Sequence, residues 1–296
     1  MATALSTSLP TRRARRSGRS ESRPSVVSTA IVLIGALYCV LPVLWLLTGA
    51  TKDSTELFST FAFAPNGHLF SNIADLTQYQ GGIFWRWLLN TALYAGVGAV
   101  ASTYVSALAG HVLAKFEFPG KAAIFAVLLA GVLVPGVILA VPQYLLLAKV
   151  GLTGTIWSVL LPQIINPYGI YLARIYTAAA VPVDIVDAAR IDGAGEMRIF
   201  SRLVLPMMAP GLVTIFLFQF IGIWNNFLLP FIMLQDPSLY PVTVGLSAML
   251  NQVTSQPALY TLTITGSLLA VLPLIALFLT LQRFWRVDLA AGAVKA

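Results

Sequence analysis

Charge is what this sequence has least of. Of its 296 residues, 10% are charged and 58% are hydrophobic, whereas a soluble domain carries about 25% charged residues. That balance excludes an ordinary soluble core and points to a polytopic membrane protein. Cysteine is almost absent. The single Cys39 sits in an apolar run, so an internal disulfide is excluded and the residue reads as a small buried apolar side chain. Two histidines and one cysteine do not make a metal site of the usual ligand sets, and none is expected. No glycine-rich phosphate loop ending in Gly-Lys-Ser or Gly-Lys-Thr is present, because Gly120-Lys121 is followed by Ala122. No nucleophile–base pair stands out. The apolar runs hold no Asp or Glu, although ion-coupled transport normally needs an ionisable group at membrane depth. The one titratable candidate there is His111, which reads as a hydrogen-bonded packing residue. Any uphill work must therefore draw its energy from another chain.

Long uncharged runs are what the chain has instead: 24–51, 87–114, 122–148, 150–173, 203–235 and 237–282. A spanning helix needs about 20 residues. Five runs hold one span each, and the last holds a polar loop followed by a span near 259–282, which makes six. Residues 57–74 are also uncharged, but the turn signal Pro65-Asn66-Gly67 leaves them in a loop over 51–86. Residues 1–25, with Arg12, Arg13, Arg15, Arg16, Arg19 and Arg23, lack apolar periodicity and read as a disordered basic tail. The apolar run starts too far from Arg12-Arg13 for a twin-arginine signal and is too long for a cleaved leader.

The basic residues fix an orientation. With the N-terminus inside, fifteen Lys and Arg lie on inner segments, and only Lys52, Arg86 and Lys149 lie outside. Both termini are then cytoplasmic. The net charge of +7 follows this distribution, so no nucleic-acid partner is implied.

Within the spans, Pro42, Pro135, Pro142, Pro162, Pro167, Pro210, Pro230 and Pro273 break backbone hydrogen bonds. Such breaks serve either bundle geometry or the lining of a water-filled passage. The polar side chains in the spans are amides, hydroxyls and aromatics. Gln219, Trp224, Asn225 and Asn226 form the densest group, with Gln143, Tyr144, Asn166 and Tyr168 as further candidates. Amides at membrane depth are costly unless paired. They either bond between helices or face a polar, uncharged solute such as carbohydrate, where indole can stack on a sugar face.

Residues 181–206 form a polar island. Of 18 basic and 11 acidic residues, seven fall here: Asp184, Asp187, Arg190, Asp192, Glu196, Arg198 and Arg202. The segment reads as two short helices joined by glycine. Pro182 suits a first helical position, Asp184 favours the helix dipole and Gly193 is a left-handed cap. In the second helix Ile199, Phe200, Leu203 and Val204 share one side, while Arg198, Ser201 and Arg202 share the other, a pattern suited to a membrane surface.

Asp187-Ala188-Ala189, Ile191-Asp192-Gly193-Ala194, Ile199-Phe200 and Val204-Leu205-Pro206 together resemble the cytoplasmic signature of binding-protein-dependent ABC importer permeases. The resemblance is nearest to the maltose-type sugar subfamily, in the branch that includes the smaller permease subunit. Similar stretches are Ala109-Gly110-His111, Phe116-Glu117-Phe118-Pro119-Gly120, Val141-Pro142-Gln143-Tyr144, Gly151-Leu152-Thr153-Gly154-Thr155, Gly222-Ile223-Trp224-Asn225-Asn226-Phe227, Gln282-Arg283-Phe284 and Ala291-Gly292-Ala293. The likeness spans about 26–296. Three positions depart from it: Asp187 stands where Glu is usual, Asn226 where an acid is common and His111 where Tyr is common.

The resemblance implies an all-α polytopic membrane helix bundle with six transmembrane helices, of type I importer architecture. It implies a basic tail over 1–25, a first span over 26–50, an external loop over 51–86, a permease core over 87–282 and a C-terminal tail over 283–296. Within the core, the coupling loop runs over 176–206, and Asp187, Ala188, Ala189, Asp192 and Gly193 would contact an ATPase subunit. The expected partners are a second permease, two cytoplasmic ATPases, an external solute-binding protein and membrane lipid. The chain itself would bind no cofactor and catalyse no bond chemistry; ATP and Mg would sit on the ATPases. The passage residues would be Gln143, Tyr144, Gln219, Trp224, Asn225 and Asn226. The location would be a bacterial or archaeal cytoplasmic membrane and the cargo a sugar or oligosaccharide. Alternatives are another polar solute, such as a glycerol phosphate derivative, or an ion-coupled transporter.

Overall fold

The computed structural model describes residues 26–293; beyond Gln282, Phe284 is the one side chain described. The basic segment 1–25 expected to be disordered, and the end of the expected C-terminal tail, lie outside the described residues. Every regular element among the described residues is helical. The first is α1 (Val26–Gly49), an apolar helix long enough to cross a membrane. Cys39 on it is exposed and not buried as expected. Two short helices follow, α2 (Glu56–Ser59) and α3 (Leu69–Gln78), so the 51–86 segment is more ordered than its turn signals suggested.

The 33-residue α4 (Ile83–Lys115) is the axis of the remaining bundle. Its upper part (Phe84, Trp87) packs with Leu76, Val242, Leu246 and Leu259. Its middle (Tyr94, Ala95, Ala99) packs with Val159, Leu160, Ile223 and Trp224. Its lower part (Ala107) packs with Ala173, Val186, Phe200 and Val204. One helix thus threads three apolar clusters, and neighbouring helices are fixed to it by burial.

The third run is split at Val134-Pro135 into α5 (Lys121–Leu133) and α6 (Gly136–Lys149), which meet at 107°. The fourth is interrupted at Ile165-Asn166 between α7 (Ile156–Ile164) and α8 (Pro167–Ala180). There Asn166 Oδ1 accepts the Gly169 N–H at 2.8 Å and Pro167 opens the new helix, a side-chain cap followed by proline at N1. Next come α9 (Val183–Ile191), α10 (Glu196–Ile199) and, after a π-helical turn, α11 (Leu205–Met207). The fifth run holds α12 (Ala209–Trp224) and α13 (Leu228–Met233). Finally, α14 (Val242–Leu250) precedes α15 (Ala258–Ala293), which continues through most of the expected tail. Among the described residues three helices are long and apolar enough to span a membrane, and three bent pairs bring the number of spans up to six.

The backbones of α4 and α8 approach each other closely. A Cβ on Gly110 would lie 2.5 Å from Ala173 Cβ and 2.6 Å from the Arg174 backbone nitrogen. Glycine here lets two backbones meet, as small residues do in membrane helix pairs. Replacing Gly110 with Val must push the helices apart, and overpacking of this kind costs about 1–3 kcal/mol. The expected result is a lower thermal transition for Gly110→Val in detergent, measured beside Gly96→Ala, whose Cβ would meet nothing within 4 Å. Equal transitions would refute the close-packing role.

Candidate functional site: a polar cavity and a charged elbow

Three interrupted runs meet at one cavity. Its volume is about 550 Å³, and its wall includes the α5–α6 break, the α7–α8 break and the α12–α13 break. Helix breaks release backbone groups that lipid cannot satisfy, so they are tolerated where they border protein or a polar cavity. The polar side chains in the wall are Gln143, Gln163, Asn166, Tyr168, Gln219 and Asn226, with no charged residue among the lining. Asn166 Oδ1 is taken by the Gly169 N–H, and Asn226 Oδ1 receives a long 3.4 Å contact from the Leu229 N–H. Gln163 Nε2 is buried with no hydrogen-bond partner in the protein. Gln219 is 6% exposed. Amides in a chargeless wall suit a polar, uncharged solute, since a buried amide left unpaired costs about 1–3 kcal/mol.

Of the six residues expected in the passage, Gln143, Gln219 and Asn226 reach this cavity. Trp224 does not. It is buried in the middle cluster and stacks on Phe220, with ring centroids 5.4 Å apart. Its apolar surface is spent on α4 and α7, so it offers no face to a sugar in this conformation. Tyr144 packs against the same cluster. Asn225 is exposed and caps α12, its Nδ2 donating to Ile221 O at 2.9 Å. Asn166 and Tyr168, the weaker candidates, line the cavity, and Gln163 had not been singled out at all. The signal that could have found it is an amide following Pro162, three residues before the Asn166 cap.

His111 also departs from expectation. It is 2% exposed and packs against the rings of Phe116 and Phe200, but neither ring nitrogen has a hydrogen-bond partner among the described residues.

At the other end lies the elbow. The Ile156–Ala180 segment turns by 79° into α9, and the Glu196–Met207 segment turns by 83° into α12. Pro182 is the cap of α9, one position before the first helical residue where it was expected. Gly193 has φ +79°. Its N–H donates to Arg190 O, and the Ala194 N–H donates to Ala189 O, which is a Schellman cap. Leu205 N donates to Phe200 O. This wider turn falls just ahead of Pro206, whose ring would clash with the preceding turn of a regular helix. Ile199, Phe200 and Val204 are buried, as the two-sided pattern required, but under α4 and α8 and not in a membrane surface. Lys115 Nζ donates to Val181 O and ties the foot of α4 to the hinge.

Arg190 is the hub of the elbow. Its Nε donates to Glu196 Oε1 at 2.7 Å, its Nη2 to Glu196 Oε2 at 3.2 Å and its Nη1 to Asp187 Oδ1 at 2.9 Å. Its guanidinium also lies 5.3 Å from the Phe116 ring centroid. Asp187, Ala188, Asp192 and Gly193 are exposed and Ala189 is half-buried. The neighbouring apolar side chains Ile191 and Met197 stand 88% and 59% exposed. An elbow with alanine walls and apolar tips, in which Arg190 ties Asp187 and Glu196 together, has a shape for docking another protein.

The structure is a helical bundle with a charged elbow and an uncharged cavity, an architecture that suits a transporter subunit. Residues 102–286 match the family described as the binding-protein-dependent transport system inner membrane component. The chain belongs to that family and is a permease of a binding-protein-dependent importer. It is 32% identical over 263 residues to the arabinooligosaccharides transport system permease protein AraQ of Halalkalibacterium halodurans, covering 88% of this chain and 92% of that one. It is 30% identical over 236 residues to the diacetylchitobiose uptake system permease protein NgcG of Streptomyces coelicolor, covering 79% and 78%. It is 26% identical over 262 residues to the sn-glycerol-3-phosphate transport system permease protein UgpE of Yersinia enterocolitica, covering 86% and 92%. A bacterial ABC transporter that imports the acidic polysaccharide alginate has a chain of the same fold, at a TM-score of 0.76 and 20% identity over 87% of this chain and 95% of that one.

The Arg190 hydrogen bonds hold the Glu196 carboxyl below the usual carboxylate range. A carboxyl depressed in the folded state stabilises above its unfolded value, and that contribution is lost as pH falls through the folded one. Amide exchange over 187–199, corrected for its intrinsic pH dependence, should therefore stay constant from neutral pH down to about 4.3, the free glutamate value, and quicken only below it. In Arg190→Ala the exchange should be fast at every pH. A wild-type transition above the free value would contradict the hub.

Proposed function

We propose that the chain is the membrane permease of an ATP-driven importer for a neutral sugar or oligosaccharide. An external binding protein delivers the cargo, a second permease completes the passage, and two cytoplasmic ATPases supply the energy. The elbow then faces the cytoplasm, in keeping with the excess of Lys and Arg on that side. ATPase closure would move the elbows together and turn the cavity outward, with Asp187, Ala188, Ala189, Asp192 and Gly193 at the contact.

The observation that carries the cargo assignment is the cavity wall: amides and one phenol with no charged residue. Relatives named for arabinooligosaccharides and diacetylchitobiose support the same class. A phosphorylated cargo, suggested by the glycerol-3-phosphate relative, calls for an Arg or Lys in the wall, and the lining has neither. Trp224 and Tyr144 take part, in this reading, by holding the walls in place. Asn225 sets the end of α12.

Two variants test the two halves. Gln219→Leu keeps volume and removes an amide, and each lost hydrogen bond to a neutral solute is worth about 0.5–1.5 kcal/mol. Vesicles carrying the full complex should import sugar about threefold to tenfold more slowly, with ATPase stimulation by the loaded binding protein retained. An unchanged rate would remove Gln219 from the passage. Gly193→Val forces a β-branched residue into the left-handed region, at a cost of roughly 1–2 kcal/mol. It should lower transport per ATP hydrolysed. Normal coupling would sink the assignment of the elbow.

A further inference from the structure

The loop between α1 and α3 carries a second feature, unrelated to the cavity. Asp53, Glu56 and His68 each offer one donor atom, and these atoms lie within 4.8 Å of one another. His68 Nε2 is 3.6 Å from Glu56 Oε2. Ligands at about 2.0–2.2 Å around a tetrahedral ion are about 3.3–3.6 Å apart, so small side-chain rotations close the set. The expectation of no metal site weighed only histidine and cysteine. It missed this grouping because the two carboxylates lie twelve or more residues from His68 in sequence, and folding alone brings them to it.

The scaffold is rigid. The His68 N–H donates to Thr51 O at 2.9 Å, and the Asn66 N–H donates to Thr51 Oγ1 at 2.8 Å. Buried Asn72 donates to the carbonyls of Ala50 and Lys52. Asn66 Nδ2 donates to Glu56 Oε1, while Oε2 accepts the Asp53 N–H at 3.2 Å and lies on the histidine side. Such outer partners orient ligating carboxylates. Asp53 Oδ1 accepts from the Glu56 and Thr55 backbones and the Thr55 hydroxyl, which hold its carboxyl below the usual range.

The electrostatics call for a cation. From Asp53 to Trp85 the chain has three acidic residues and no Lys or Arg. The adjacent Lys52 is 1% exposed, and its Nζ donates to the carbonyls of Phe61 and Ala62, not to a carboxylate. Among the described residues no Lys or Arg forms a salt bridge with Asp53 or Glu56, and His68 is the partner of Glu56. One imidazole and two carboxylates, half-buried and accessible, match the mixed donors that suit Zn²⁺ or a similar borderline divalent ion.

We propose that Asp53, Glu56 and His68 bind a divalent cation of the zinc type, which staples the loop between α1 and α3 on the face opposite the elbow. The site needs no cargo and stands whether or not the sugar assignment holds.

The test is a Zn²⁺ titration by calorimetry of the full chain in detergent, purified without a polyhistidine tag. Cys39→Ser serves as background, because Cys39 is exposed; His111 is buried. The expected result is one equivalent of Zn²⁺ bound in the background protein, and a loss of affinity of at least tenfold on adding either His68→Ala or Glu56→Gln. Co²⁺ in place of Zn²⁺ should give visible absorption bands in the background protein that vanish in His68→Ala. Thermal transitions without metal should match across the variants; where one does not, Glu56→Gln and the Co²⁺ spectrum of the background protein decide. Overturning results are no binding, which leaves Glu56–His68 an ion pair only, or Zn²⁺ affinity unchanged by both substitutions.

Discussion

The close approach of α4 to α8 at Gly110 is the constraint on which the rest of the structure depends. Where a Cβ is missing, two backbones come within contact distance, and the lower end of α4 becomes a fixed post. Lys115 then reaches the Val181 carbonyl, so the post also holds the hinge into α9. Phe200 and Val204 are buried by the same cluster. The elbow is thereby joined to the foot of the 33-residue α4, and that helix runs past Tyr94 and Trp87 to the opposite end of the bundle. Packed interiors transmit displacements because they have few voids in which to absorb them.

Cavity and elbow solve opposite problems. In the cavity, breaks at Val134-Pro135, Ile165-Asn166 and Asn225–Phe227 open helices that would otherwise satisfy their own backbones. The freed groups and the amides Gln163 and Gln219 face a shared space, which gives an uncharged solute something to bond. In the elbow three of the charges are tied to one another. Arg190 gathers Asp187 and Glu196, and Ala188, Ile191 and Met197 stand exposed beside them. Surface ion pairs contribute little stability singly; this one has a geometric task, to hold the turn around Gly193 closed.

Much of this was legible from spacing. The six uncharged runs, the two-sided pattern at Ile199 to Val204 and the left-handed Gly193 are local properties that a sequence carries openly. Residues whose roles depend on distant partners were harder to read. Trp224 beside two asparagines reads as a sugar-stacking residue, yet the indole faces α4 and α7 and is buried. Gln163 drew no notice, yet it lines the cavity, and its Nε2 is unpaired among the described residues. His111 reads as hydrogen-bonded, yet it is enclosed by two phenylalanine rings.

Composition and the order of charges along the chain were enough for the class and for the apolar runs that make the spans, because lipid penalises every unpaired charge and leaves its mark at each position. Helix caps and turns were equally readable, since they depend on residues only a few positions apart. Which amides share a cavity, which aromatic is buried and which carboxylates meet His68 were not. Those outcomes depend on helix rotation and on breaks that bring residues tens of positions apart within a few ångströms, and no periodicity in the chain encodes that angle.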